Sequence, residues 1–80
     1  MRLPRDLSGA DLVKRLERLG YVATRQTGSH IRLSTQAYGE HHVTIPNHDP
    51  LRIGTLGAIL ASIGTHHGLS REELLHRLFD

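Results

Sequence analysis

The apolar residues of this chain change their spacing twice, and that change restricts the fold more than any other feature of the sequence. Leu12, Val13, Leu16 and Leu19 recur at helical spacing. Ile31 and Leu33, then Val43 and Ile45, alternate with polar neighbours at the period of two that a half-buried strand requires. The helical period returns with Leu56, Ile59, Leu60 and Ile63, and again with Leu74, Leu75, Leu78 and Phe79. A helix with one apolar stripe and a sheet with one apolar face must cover each other. The pattern therefore predicts an α+β fold, α-β-β-β-α-α, with helices on one face of a three-stranded antiparallel sheet.

Local signals place the boundaries. Ser8, with Asp11 three residues on, predicts a capping box, and Leu7 and Leu12 a hydrophobic staple across it. The first helix is expected over residues 9–19, ending at Gly20. Strands are expected over Tyr21–Gln26, His30–Ser34 and His41–Ile45, with a turn at Thr27-Gly28 and a loop at 35–40. Pro46 closes the third strand because it cannot donate to the ladder. A second helix is expected to start near Gly54 or Thr55. Gly64 and Gly68 predict a break around Thr65-His66-His67. Ser70 and Glu73 then form an S-x-x-E capping box for a last helix, with Leu69 and Leu74 as its staple.

With 80 residues and no cysteine, the chain has no disulfide to replace a core. One domain over residues 1–80 is expected. No apolar run approaches the ~20 residues a membrane span needs. The charged start Met1-Arg2-Leu3-Pro4-Arg5-Asp6 is followed by no apolar stretch of the signal-peptide kind. A cytoplasmic protein with no membrane partner is the expectation. The net charge is only +2, yet nine of the ten basic residues are arginine. Arginine's planar fork suits phosphate because it donates two hydrogen bonds at once.

Strand alternation divides the side chains of the sheet. Ile31, Leu33, Val43 and Ile45 face the helices, and His30, Arg32, His42 and Thr44 face the other way. A histidine and an arginine thus share one open surface. His41 and His42 are expected on opposite faces, so they do not share a metal ion. No H-x-x-x-H or carboxylate-bearing metal spacing occurs, and no metal site is expected. His66 and His67 are expected just beyond a helix end, where positive charge is favoured. His48 reads equally as a site residue or as an organiser of the Pro46–Pro50 turn. Lys14, Arg15 and Arg18 read as the wet side of the first helix. Tyr21 reads as core and Tyr38 as a loop residue.

Four segments, in order, resemble one family. Gly20-Tyr21 and Arg25-Gln26-Thr27-Gly28-Ser29-His30 resemble the Gly-aromatic pair and the R-Q-x-G-S-H signature of HicA-type toxins. Val43-Thr44-Ile45-Pro46-Asn47-His48 and Gly54-Thr55-Leu56 with Ile59-Leu60 resemble two further segments of that family. The resemblance runs from about Ser8 to Leu78. It implies a double-stranded-RNA-binding-like fold and ribosome-independent cleavage of messenger RNA. It also implies neutralisation by a HicB antitoxin that covers the active site, with no metal or organic cofactor. The histidine of the G-S-H motif, His30 here, is implied to be catalytic. Thr27 stands where the family often has lysine, which removes one phosphate contact. The Ser70–Phe79 helix extends past the family's usual second helix, as core completion or partner contact.

The residue types suit that chemistry. RNA carries its own nucleophile, the 2′-hydroxyl, and cleavage needs one group to take its proton and one to protonate the leaving 5′-oxygen. An imidazole, with an unperturbed pKa of roughly 6.5, performs either task near neutral pH. Arg32, two residues on and on the same strand face, is expected to hold the phosphate, with Arg25 as a second RNA contact. Gly28 and Ser29 at the turn let a phosphate approach backbone N–H groups. Two other readings use the same features: a non-catalytic RNA-binding module, and a subunit whose sheet only docks a protein.

Overall fold

The computed structural model describes residues 3–80. The elements are α1 (Gly9–Leu16, continued by a 3₁₀ turn at Glu17–Leu19), β1 (Val22–Thr27), β2 (His30–Thr35), β3 (His41–Pro46), α2 (Ile53–His67) and α3 (Arg71–Phe79). The strands form one open antiparallel sheet in the order β1-β2-β3. This is the expected α+β arrangement with the expected element order.

Both capping boxes form. The Ser8 hydroxyl accepts from the Asp11 N–H at 3.0 Å, and Asp11 accepts from the Ser8 N–H. The Ser70 hydroxyl accepts from the Glu73 N–H at 3.2 Å, and Glu73 accepts from the Ser70 N–H at 2.9 Å. Gly20 ends the first helical segment in the left-handed region, at φ +83. Ile31, Leu33, Val43 and Ile45 are all buried, against Leu12 and Leu16 of α1, Leu56, Leu60 and Ile63 of α2, and Leu74, Leu75 and Leu78 of α3. The last helix therefore completes the core.

Two expectations about the helices need correction. The break expected at residues 64–68 is absent: α2 continues through Gly64 to His67, so the two histidines occupy its last turn. One glycine inside a helix costs about 1 kcal/mol, a small loss for a helix that buries Leu56, Leu60 and Ile63. The true stop is Gly68 at φ +67, where the Leu69 N–H bonds to the Gly64 carbonyl at 2.9 Å, as in a Schellman end. Second, Arg15 and Arg18 do not simply face water. Arg15 donates to the Leu78 carbonyl at 3.4 Å and lies over the Phe79 ring, and Arg18 donates to the Asp80 carbonyl at 2.7 Å. With the bond from Arg18 to the Arg77 carbonyl at 3.3 Å, they satisfy late carbonyls of α3 that a helix cannot satisfy internally. On the sheet, Ser34 shares a strand face with His30 and Arg32 yet is only 9% exposed. Its hydroxyl meets His42 Nδ1 at 2.5 Å.

At the C-terminal end of α2 the histidines are organised around Tyr21, which is 1% exposed. The Tyr21 hydroxyl lies 2.7 Å from His41 Nδ1 and 3.2 Å from His67 Nε2. His41 also stacks on His66 at 4.3 Å, and its Nε2 lies 3.3 Å from Ser62 Oγ. The chain is satisfied with every ring neutral in either direction: His67 donates to Tyr21, Tyr21 to His41 and His41 to Ser62, or each bond runs the other way. Burial pushes the Tyr21 hydroxyl up to about 12, so it keeps its proton. Burial, then the neighbouring His66, lowers the pKa of His41 and of His67 below the ordinary 6.5. Below about pH 6.5 the unfolded chain thus binds more protons than the folded one, and stability falls as pH falls. The melting temperature should decline from pH 7 towards pH 5, before the carboxylates protonate. A flat profile over that window would contradict the neutral cluster.

Candidate active site

The β1–β2 hairpin presents the predicted residues. Its loop is Gly28-Ser29, one residue later than expected, with Thr27 and His30 as the closing pair. Gly28 stands at φ +57, which the first position of such a two-residue turn requires and which glycine adopts without a Cβ clash. His30 is exposed and starts β2, facing Thr27 on one side and Pro46 on the other.

A bulge then decides the electrostatics. Ala23 pairs with Leu33, but Arg25 rather than Thr24 pairs with Arg32. The extra residue turns Arg25 onto the open face, directly across from Arg32. Like charges directly opposite one another on a sheet repel. Arg25, Thr27, His30, Arg32 and Thr44 line one depression of about 210 Å³, and among the described residues no carboxylate lines it. Two guanidiniums, two hydroxyls and an imidazole around a shallow hollow are groups able to receive an anion. The arginine fork presents paired donors to a phosphate, and the ring presents one nitrogen to take or give a proton.

The far wall is stitched in place. The Asn47 N–H donates to the Ser29 carbonyl at 2.6 Å, fastening the exit of β3 to the hairpin tip. The Gly9 N–H donates to the His48 carbonyl at 2.8 Å, fastening the start of α1 to the same exit. Through its backbone, His48 thus organises the turn after Pro46; its side chain is exposed.

The structure brings Arg25, His30 and Arg32 together, with Gly28 and Ser29 at the adjoining turn. Thr27 and Thr44 also line the hollow. Thr27 was expected in the turn itself; the two-residue loop at Gly28-Ser29 instead places it beside His30. His42 lies on the same face but farther along β3, between the Ser34 hydroxyl and the Glu40 carboxylate, which is 3.1 Å from its Nε2. Hydrogen bonding to His42, and then to Gln36, holds the Glu40 carboxyl below the ordinary carboxylate range. His41 takes the opposite face, as strand alternation predicts. Among the described residues no three His, Asp or Glu side chains are grouped to hold a metal ion. Nor, among them, is any helix long and apolar enough to cross a membrane.

A family model described as "HicA toxin of bacterial toxin-antitoxin" matches residues 9–65, well over half of the chain. The chain belongs to the HicA toxin family. The HicA match takes in α1, the whole sheet and most of α2, and with them Arg25, Gly28, Ser29, His30 and Arg32. Helix α3 lies beyond the matched residues, so the HicA core of this chain is closed by an element outside the family pattern. Comparisons with curated proteins and with solved structures returned no match.

Proposed function

We propose that this HicA protein is an endoribonuclease, an mRNA interferase of a toxin–antitoxin pair, that cuts RNA by metal-independent general acid–base catalysis at His30. It acts as a one-domain cytoplasmic protein, and a HicB-type antitoxin neutralises it by covering the open face of the sheet. The observation that carries the reading is the hollow itself: an exposed imidazole beside two arginines whose charges oppose each other until an anion lies between them.

The reaction follows from that arrangement. A phosphodiester settles between Arg25 and Arg32, with the Gly28-Ser29 turn at its edge. The adjacent 2′-hydroxyl loses its proton and its oxygen attacks phosphorus. The bond from the 2′-oxygen to phosphorus forms as the bond to the 5′-oxygen breaks. The leaving 5′-oxygen takes a proton, and the products are a 2′,3′-cyclic phosphate and a 5′-hydroxyl. His30 performs one or both of the proton transfers. The guanidiniums stabilise the charge that accumulates on the phosphorane oxygens.

Purified protein incubated with RNA and excess chelator should consume full-length RNA at the rate seen without chelator. Tight binding with no cleavage under either condition would instead identify a non-catalytic RNA-binding module. Cleavage abolished by chelator would refute the metal-independent chemistry.

A further inference from the structure

We propose that Tyr38 is a stacking platform for one base of a single-stranded RNA, in a pocket at the end of β2 opposite His30. The proposal rests on RNA being the substrate. The loop between β2 and β3 contains a tight turn over Gln36–Gly39, closed by the Gly39 N–H donating to the Gln36 carbonyl at 3.1 Å. Tyr38 is the third residue of that turn and stands at φ +58. The position calls for a left-handed residue, normally glycine or asparagine. A bulky aromatic there is a genuine outlier.

Folding gains little in return. The ring is 80% exposed and buries no core surface. Among the described residues its aromatic partner is His67, met edge-on at 5.7 Å and 86°. Backbone strain beneath an exposed side chain points towards function.

The surroundings say what the ring receives. Tyr38 lines a pocket of about 230 Å³ with Leu19, Leu69, His67, Arg18 and Arg77. That volume is below the roughly 300–1,000 Å³ of drug-sized sites, and it suits a single flat ring. The wall is apolar and aromatic, the rim carries two guanidiniums, and among the described residues no carboxylate lines the space. Arg18 is held in place by the Arg77 and Asp80 carbonyls. A nucleobase presents a π-face to Tyr38 whatever its identity, while Arg77 is placed to meet a flanking phosphate.

The six residues of β2 run from His30 to the loop that carries Tyr38, so the two are set apart by a strand of about 17 Å at strand rise. A strand of RNA must therefore be several nucleotides long to occupy both. Tyr38 adds affinity for long substrates and none for the shortest.

The test uses the His30→Ala protein, so that binding is read without cleavage, and follows fluorescence anisotropy with labelled oligoadenylates. Tyr38→Gly relieves the strained backbone and should keep the melting temperature while weakening binding of a long oligoadenylate about tenfold. Tyr38→Trp should bind it as the parent does, and adenylyl dinucleotide binding should be the same in all three. The platform is wrong if Tyr38→Gly binds the long oligomer with parental affinity. It is also wrong if the dinucleotide weakens equally. If the parent itself binds no RNA, this inference and the nuclease reading fall together. A Tyr38 result alone leaves the nuclease reading in place.

Discussion

Replacing His30 with alanine should slow RNA cleavage by ~10²–10⁴-fold, the range general acid–base help supplies. The melting temperature should hardly change, because the side chain is exposed at the start of β2 and supports no core packing. The two readouts together separate a catalytic group from a structural one. The companion substitution Arg32→Ala should behave differently. It removes a phosphate contact, so binding should weaken and the slope of log affinity against log salt should fall by about one. Loss of full-length RNA in chelator, timed for parent and variants at one protein concentration, gives the comparison. A His30→Ala protein that cuts at the parental rate would leave the hollow between Arg25 and Arg32 as a binding site only.

Gly9→Ala should destabilise the fold by ~3 kcal/mol, the upper part of the range for overpacking a tight contact. Helix propensity alone argues the reverse, since alanine is favoured over glycine by about 1 kcal/mol inside a helix. Packing decides. A methyl group on Gly9 would lie 2.0 Å from the Pro46 carbonyl oxygen and 3.0 Å from Asn47 Cα. Both are backbone atoms, held by the Asn47–Ser29 and Gly9–His48 hydrogen bonds, so neither can swing aside as a side chain would. At ~4–8 °C per kcal/mol for a chain of this size, the melting temperature should fall by more than ten degrees. A thermal melt that shows an unchanged or higher midpoint would mean that α1 does not dock against the end of β3 at this distance.

Much of this was written in the order of the residues. Ser8 with Asp11 and Ser70 with Glu73 are local signals, because a capping box closes within one helical turn. The alternation in β2 and β3 separated Ile31 and Leu33 from His30 and Arg32 without knowledge of the partner strand. What escaped depends on partners distant in sequence. Gly64 reads as a helix stop, yet the apolar positions on both sides of it are buried against other elements, and their packing carries α2 past it. Arg15 and Arg18 read as solvated until α3 brings its late carbonyls to them. The opposition of Arg25 and Arg32 required the bulge after Ala23, which no residue in β1 announces. His30 itself was legible through its motif, and the hollow around it only through strand register.

The most direct measurement uses one oligoribonucleotide and its twin with a single 2′-deoxy sugar at the scissile position. With His30 shuttling the proton and ribose supplying the nucleophile, the all-ribose strand should be cut to a 2′,3′-cyclic phosphate end and the twin should survive at that bond. Equal cleavage of the two strands would show that the attacking oxygen comes from elsewhere, and would contradict the account.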